Sequence, residues 1–181
     1  VNDGSKDRTQ QILEKYAEKD SRIQIISQEN GGAGAARNAG LRIARGEYLS
    51  ILDGDDFFEP DMLEKAYKKA KESRAELLVF GSDQYYETTG EYKSVTWTIR
   101  RHALPPYRPM NYRQFTDNVF KVFVGWTWDK LFLRSFVEEQ RLYFQEQRTS
   151  NDLLFTFLAI VTAKNIEILD EVLIHQRRDN Q

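Results

Sequence analysis

The chain of 181 residues lacks several features that are typical of particular classes of protein. It contains no cysteine, so disulfide bonds and thiolate metal sites are excluded, and a reducing compartment suits it. It has no excess of basic residues: the formal net charge is −2, which argues against a dedicated nucleic-acid binder. No run approaches the roughly 18 apolar residues of a membrane-spanning helix, since the longest candidate, 153–163, is short and interrupted by Thr156 and Thr162. The rest, 40% hydrophobic and 30% charged, is the composition of one ordinary globular domain.

Periodic apolar segments alternate along the first hundred residues between helical and extended spacing. The predicted helices are 9–19, 35–45 and 60–73, and the predicted strands are 22–27, 48–52, 76–86 and 92–99. This alternation predicts an α/β fold around a largely parallel sheet. Beyond residue 100 the predicted elements are a helix over 111–122, a second helix ending near 163, and two short strands over 166–169 and 172–175.

The strand at 48–52 ends in three carboxylates within four positions, Asp53, Asp55 and Asp56. Residues i and i+2 of an extended chain point to the same side, so Asp53 and Asp55 are predicted to converge on one ligand. Like charges this close repel one another, and a divalent cation bound by oxygen ligands is the usual remedy. A solvated acidic turn is the alternative, because Asp and Gly are both turn formers.

Two further polar loops follow extended segments: the turn at 3–5 follows the stub of a truncated first strand that ends at residue 2, and the glycine loop at 30–34 follows the predicted strand 22–27. In open α/β sheets the ligand crevice lies outside the carboxyl ends of the strands. We therefore expect both loops and the acidic run to gather at one edge of the sheet.

These loops also partly match two other motifs, but in each motif one residue does not fit the pattern. A calcium loop starting at Asp3 needs glycine at its sixth position, where Arg8 stands. A dinucleotide fingerprint starting at Gly32 needs a small third residue, and that position falls on Arg37. Both interpretations are weaker than the convergence of three loops.

Four segments taken together resemble a family 2 glycosyltransferase with the GT-A fold: 1–9, 30–40, 46–48 and 52–56. The resemblance implies a three-layer α/β sandwich around a mostly parallel sheet. It also implies a nucleotide-sugar-binding half in residues 1–100 and an acceptor-binding half in 101–181 of the same single domain. Members of that family begin with a further strand and helix, so we expect this chain to be an N-terminally truncated part of a longer protein.

The resemblance assigns roles in binding the donor. The segment Asp3-Gly4-Ser5 would hold the base or ribose of a nucleotide, and Arg37 would face that nucleotide. Asp53 would contact the ribose, and Asp55 would bind Mn²⁺ or Mg²⁺ on the donor diphosphate, because carboxylates alone repel a diphosphate. His175 is predicted as a further metal ligand, with a structural role on a short strand as the alternative.

The resemblance also implies residues for catalysis and for the acceptor. Family members open a late helix with the acidic pair Glu-Asp, which here reads Asn151-Asp152. Asp152 is therefore the candidate general base, with an ordinary helix N-cap as the alternative. The candidate acceptor-binding residues are Trp126, Trp128, Asp129 and Lys130. Core packing by the two tryptophans is equally compatible with the sequence.

The expected function is a metal-dependent, inverting transfer of a sugar from a nucleotide diphosphate, UDP-linked, to a glycan or lipid-linked acceptor. A role in polysaccharide biosynthesis and a cytoplasmic location are expected with it. Contact of the aromatic segment 120–136 with the inner membrane face is an open alternative to a buried acceptor lobe. Two other functions also stay open: a nucleotidyltransferase of related fold, and a non-catalytic sugar-binding domain, which Asn151 and the missing start would suit.

Overall fold

A computed structural model describes residues 1–115 and 118–179 of the chain. The helices are α1 Thr9–Ala17, α2 Gly32–Ile43, α3 Met62–Ser73, α4 Val119–Val122, α5 Arg134–Glu139 and α6 Leu153–Thr162. The strands are β1 Asn2–Asp3, β2 Ser27–Gln28, β3 Tyr48–Ser50, β4 Phe57–Phe58, β5 Leu77–Tyr86, β6 Glu91–Ser94, β7 Lys130–Leu133 and β8 Ile166–Arg178. Short 3-10 helices lie at Arg101–Ala103 and Tyr112–Gln114. No helix in these described parts is long and apolar enough to cross a bilayer.

The chain divides into two compact units. The first comprises Val1–Arg45 and Tyr143–Phe155, and the second comprises Gly46–Leu142 and Thr156–Gln181.

The first unit is organised by helix α2 and the segment 143–155. The Asn38 side-chain amide donates to the Phe144 carbonyl at 2.9 Å, while its oxygen accepts from the Phe144 backbone N–H at 2.8 Å. Phe144 stacks face to face on Phe155, with ring centroids 4.2 Å apart. A Cβ added to the buried Gly34 would lie 2.1 Å from the Gln145 carbonyl oxygen, so this contact needs glycine. Strands β1 and β2 pair in parallel beside the helix.

The second unit is built on a mixed sheet of six strands in the order β3-β7-β5-β8-β4, with β6 paired to β5. The β5–β8 pairing is parallel over the whole of β5, and the other pairings in this sheet are antiparallel. Helix α3 packs on the sheet through Met62, Ala66 and Ala70, which share one helical face because they are four residues apart.

The predicted α/β class is confirmed, and the sheet shows how the expectation of parallel strands has to be adjusted. Strands β3, β5 and β8 do run in one direction, as the sequence predicts. However, β7 inserts between β3 and β5 and pairs antiparallel with both. The segment that supplies β7 lies in the aromatic region that has no clear helical or extended period.

Individual elements differ from the prediction in three places. The strand expected at 22–27 is limited to β2, although Ile23, Ile25 and Ile26 favour extended chain. The two strands expected after residue 165 form one strand, β8, whose register with β5 is irregular at Gly81. The helix expected over 111–122 is a 3-10 turn followed by α4, while Thr116 and Asp117 of that prediction lie outside the described residues.

We predict that Gly34→Ala lowers the free energy of unfolding by at least about 2 kcal/mol, because the new methyl group meets a backbone carbonyl that cannot rotate away. Gly40→Ala, in the same helix, is the matched control. Its Cβ would make only an ordinary contact at 3.7 Å with Val1, so about 0.5–1 kcal/mol of stabilisation is expected there. Urea unfolding followed by circular dichroism measures both. Equal effects from the two substitutions would contradict the close contact at Gly34.

Candidate active site

The turn at Asp3 holds the glycine loop in place. The Asp3 carboxylate accepts hydrogen bonds from the backbone N–H groups of Gly31 at 2.9 Å and Gly32 at 2.8 Å, and from the Gln28 amide at 2.7 Å. The hydrogen bond from Gly31 is the main reason why the pKa of Asp3 is lowered, against the opposing effect of burial. Because a carboxylate can accept about four hydrogen bonds, Asp3 keeps acceptor capacity for a ligand.

Gly4 and Ser5 form the turn beside Asp3. The Ser5 backbone N–H donates to the Asn2 side chain at 3.0 Å, and Gly4 adopts a left-handed backbone with φ of 77°. A Cβ on Gly4 would lie 2.9 Å from the Asn30 nitrogen. The turn and the glycine loop therefore pack backbone against backbone, and α2 begins at Gly32, whose N–H is bound by Asp3.

Arg37 on α2 reaches the segment that carries the candidate base. Its guanidinium donates to the Asn151 side-chain oxygen at 2.5 Å and lies over the Phe144 ring, 5.5 Å from the centroid. Asn151 is buried, and Asp152, which is partly buried, follows it directly before α6. The structure thus brings a predicted donor-binding residue and the pair that contains the predicted base together within the first unit.

In the second unit the acidic run follows β3. Asp55 is exposed, whereas Asp53 and Asp56 are partly buried. The Asp56 carboxylate accepts the Arg177 backbone N–H at 3.0 Å, which ties the run to β8. Burial raises the pKa of Asp56 to about 6, with the charges of Asp55 and Asp53 adding to the shift and the Arg177 hydrogen bond opposing it. The three carboxylates therefore interact unfavourably when all are ionised.

This group of three neighbouring carboxylates suits a metal ion that takes some of its ligands from a substrate. Within residues 1–115 and 118–179 no three histidine, aspartate or glutamate side chains are arranged to hold an ion by themselves. Mg²⁺ at nucleotide sites is usually bound by one or two carboxylates together with substrate phosphates. The crowded carboxylates of Asp53 and Asp55 fit that kind of site.

His175 lies on β8 opposite Phe57, close to where β8 holds the acidic run. Its ring nitrogens contact two carboxylates: Nδ1 is 2.6 Å from Asp83 and Nε2 is 3.1 Å from Glu59. Phe57 stacks on the imidazole at 4.8 Å between centroids. Binding of a metal by His175 stays a prediction, and it requires one nitrogen to leave its carboxylate. Sequence reasoning missed Glu59 and Asp83, because only strand register places them here.

The predicted acceptor residues lie immediately before β7 and at its first residue, Lys130. Trp128, Asp129 and Lys130 are buried, and Trp126 is partly buried against the same core. The Lys130 ammonium donates to the carbonyls of Val124 at 3.0 Å and Trp126 at 2.8 Å, and to Asp129 at 2.5 Å. Burial raises the pKa of the Asp129 carboxyl, and the Lys130 charge opposes the shift. Packing accounts for the three buried side chains, and acceptor binding by the segment stays a prediction.

The sequence profile of glycosyl transferase family 2 matches residues 1–141 of the chain. EpsH of Bacillus subtilis, which bears a glycosyltransferase name, is 34% identical over 98% of the chain and 51% of its own length. The uncharacterized glycosyltransferase EpsJ of the same organism is 31% identical, over 99% of the chain and 52% of its own length. The cholesterol galactosyltransferase of Borreliella burgdorferi is 31% identical over 94% and 48%. The chain spans about half the length of the curated relatives it matches.

The solved structures establish the fold. S. aureus TarS 1–349 in complex with UDP-GlcNAc matches 99% of this chain with 48% of its own, at a TM-score of 0.76 and 22% identity. The complex of TarS with UDP matches 98% of this chain with 50% of its own, at a TM-score of 0.75 and 23% identity. The predicted GT-A-like α/β fold is confirmed by this match.

The raised pKa of Asp56 predicts a stability that depends on pH. Asp56 holds its proton more tightly in the folded chain, at a pKa of about 6, than in the unfolded chain, at about 3.9. Folding therefore loses stability as pH rises between these values, and the loss persists above them. Asp56→Asn keeps an oxygen acceptor for Arg177 but has no charge. We expect its advantage over the native chain to be larger at pH 7.5 than at pH 4.5 in urea unfolding.

Exposed Glu72, changed to Gln, controls for the loss of a carboxylate outside the acidic run. If Asp56→Asn changes the free energy of unfolding by the same amount at both pH values, the raised pKa of Asp56 is contradicted.

Lys130→Met is predicted to destabilise the second unit by about 3–5 kcal/mol, because it leaves the Asp129 carboxylate buried without its cation. The double variant Asp129→Asn with Lys130→Met should recover part of that loss. Recovery is partial because the carbonyls of Val124 and Trp126 still lose their donor. Thermal unfolding of the three proteins measures the pattern. A double variant no more stable than Lys130→Met alone would mean that the ion pair is not the source of the loss.

Proposed function

Because the chain belongs to glycosyl transferase family 2, we propose that it transfers a sugar from a nucleotide-diphosphate donor to a glycan or lipid-linked acceptor, with inversion and with a divalent metal. The observation that carries the proposal is the acidic run after β3, where burial raises the pKa of Asp56 to about 6 and the mutual repulsion of the three carboxylates adds to that rise. That repulsion is relieved by a bound cation, and a cation is what reconciles carboxylates with a diphosphate. A UDP-linked donor is proposed from the likeness to TarS, which was solved with UDP-GlcNAc and UDP.

In the first unit Asp3 binds the base or ribose of the donor through the acceptor capacity that the glycine loop leaves to it. The loop hydrogen bonds fix the carboxylate before the ligand arrives, which reduces the ordering that binding requires. Gly4 and Ser5 let the nucleotide approach the backbone closely. Arg37, placed by Asn151 and Phe144, presents a permanent positive charge to the anionic donor.

In the second unit Asp53 contacts the ribose and Asp55 holds Mn²⁺ or Mg²⁺, with His175 as a further ligand once it is released from Glu59. When bound, the metal supplies Lewis-acid stabilisation of the negative charge on the departing diphosphate. Asp56, held by the Arg177 N–H, orients the loop that carries Asp53 and Asp55.

Asp152 acts as the general base that removes the proton from the acceptor hydroxyl. Inversion needs the acceptor to attack from the face of the sugar opposite the leaving group, so the base has to lie on the acceptor side. Its neighbour Asn151 is uncharged and is engaged by Arg37, which leaves Asp152 as the acidic member of the pair.

The acceptor side of the proposal comprises residues 101–181, with Trp126 as the partly exposed member of the predicted set. A cytoplasmic location belongs to the proposal, as does contact of the segment 120–136 with a membrane surface. Phe120 and Lys121 are exposed and support such contact, whereas Phe123, Phe132 and Phe136 are buried and favour a packed lobe.

The test uses the full-length protein that contains this chain. It is incubated with UDP-glucose, UDP-galactose and UDP-N-acetylglucosamine in the presence of Mn²⁺, and released UDP and pyrophosphate are measured. We expect UDP release that chelation abolishes. Asp55→Asn should lower the rate by at least about a hundredfold, while Glu64→Gln, an exposed acid on α3, should not change it. Asp152→Asn should lower kcat about a hundredfold or more and leave UDP binding intact.

Each contrary outcome has a distinct meaning. Pyrophosphate in place of UDP would identify a nucleotidyltransferase. Binding of nucleotide-sugar without any release, in the native protein, would identify a non-catalytic binding domain. Full activity of Asp55→Asn would remove the metal site from the acidic run.

A further inference from the structure

The second unit contains a cavity that none of the roles above uses. It has a volume of about 370 Å³, and residues of the segment 95–102, between β6 and the 3-10 helix Arg101–Ala103, line it. This volume is within the range of sites for small molecules, roughly 300–1,000 Å³.

The cavity wall combines one large aromatic ring with two arginines. Trp97, Arg100, Arg101 and His102 are among the residues that line it, and none of the described lining residues is acidic. Arg101 forms an ion pair with Asp170, but both side chains are largely exposed. A pair that exposed contributes little stability, so an anionic ligand can replace the Asp170 carboxylate. The lining therefore favours a ligand with negative charge.

Trp97 is the outer member of a row that contains all three tryptophans of the chain. Its ring meets Trp126 edge to face at 5.1 Å, and Trp126 lies 5.3 Å from Trp128, which is buried in the core. Trp97 itself is 36% exposed. Trp97 therefore both contacts Trp126 and lines the cavity. The face of an indole ring suits the C–H surface of a sugar ring.

The backbone under the cavity is anchored before any ligand binds. The Arg100 N–H donates to the Val122 carbonyl at 2.9 Å, and the Val124 N–H donates to the Thr98 carbonyl at 3.1 Å. The hydroxyls of Thr98 and Ser82 are hydrogen-bonded at 3.1 Å. A cavity built on fixed backbone loses little entropy when it takes up a ligand.

A short chain of contacts joins this cavity to the acidic run. Trp126, which touches Trp97, precedes Thr127, whose hydroxyl donates to the Ile51 carbonyl at 3.3 Å. Ile51 stands two residues before Asp53. Both ends of this chain of contacts lie in the second unit, so the cavity and the proposed metal site belong to the same compact unit.

We propose that this cavity is the subsite for an acceptor sugar that bears an acidic group, a carboxylate or a phosphate. The proposal rests on the proposed function and specifies its acceptor. The apolar face of the sugar stacks on Trp97, and the acidic group binds the guanidinium of Arg100, with Arg101 released from Asp170 as a second donor. Arginine suits this role because its planar fork matches the oxygens of a carboxylate or phosphate.

The test measures binding of simple probes to the 181-residue chain by intrinsic tryptophan fluorescence. All three tryptophans belong to the row beside the cavity, so the signal is local. The probes are glucuronic acid, glucose 6-phosphate and neutral glucose. We expect saturable changes with one or both acidic probes, and an affinity for glucose at least about tenfold lower. The stronger of the acidic probes distinguishes a carboxylate from a phosphate acceptor.

The substitution Arg100→Gln should weaken binding of the acidic probe about tenfold, since a charge-assisted hydrogen bond is lost. Arg100→Lys should recover part of that loss. Arg113→Gln is the matched control, because Arg113 is an exposed arginine of the same unit whose guanidinium contacts Tyr112 outside the cavity. Thermal unfolding checks that each variant folds.

Three outcomes would overturn the proposal: equal affinities for glucose and the acidic probes, equal losses in Arg100→Gln and Arg113→Gln, and full displacement of the probe by UDP with Mn²⁺. The last would assign the cavity to the donor diphosphate. UDP release by the native full-length protein separates this proposal from the transferase itself. If UDP is released without acceptor while the acidic probes fail to bind the native chain, the transferase stands and the acidic acceptor falls.

Discussion

Repulsion among the carboxylates after β3 is the constraint on which the chemistry of this protein depends. Asp53, Asp55 and Asp56 lie within four positions; burial is the main cause of the raised pKa of Asp56, and the charges of Asp55 and Asp53 add to it. The fold keeps the run in place by a backbone hydrogen bond from Arg177 of β8. In the proposed function, a divalent cation bound together with a donor diphosphate would relieve the repulsion among these carboxylates.

Elsewhere the chain uses buried polar side chains to fix the elements around its functional residues. The Asn38 amide matches both backbone groups of Phe144, which sets the segment that leads to Asp152. The Lys130 ammonium gathers two carbonyls and Asp129 at the start of β7. His175 joins β8 to Glu59 and Asp83. An unpaired buried polar group costs free energy. Each of these hydrogen-bonded sets therefore favours the observed arrangement over alternatives that would leave one of its groups unpaired.

The cavity beside Trp97 extends this logic to the acceptor. Its aromatic wall is continuous with the core through Trp126 and Trp128. The backbone that carries its arginines is hydrogen-bonded to residues 122–124. The proposed acidic sugar would thus bind beside a row of tryptophan rings whose innermost member, Trp128, is part of the core next to β7.

Local pattern was enough to predict much of the chain. Helical spacing of apolar residues predicts α3 and α6 closely, and the apolar run 77–80 followed by Tyr85 and Tyr86 predicts β5, because these signals depend on the residues of one element. The acidic run after β3 is visible in the sequence itself. The sequence could not indicate that β7 lies between β3 and β5, or that two short apolar runs form the single strand β8. Those outcomes depend on pairing between residues far apart in the chain.

The same division holds for the candidate site. By itself the sequence determined which carboxylates, glycines and arginine are the candidates for the chemistry, since charge and backbone freedom are properties of the residue. Only the tertiary structure decided their partners: Asp3 with Gly31 and Gly32, Arg37 with Asn151, and the tryptophans in one row from core to cavity. A hydrogen bond or a ring contact requires two groups within a few ångströms, and folding alone sets that distance between positions remote in sequence.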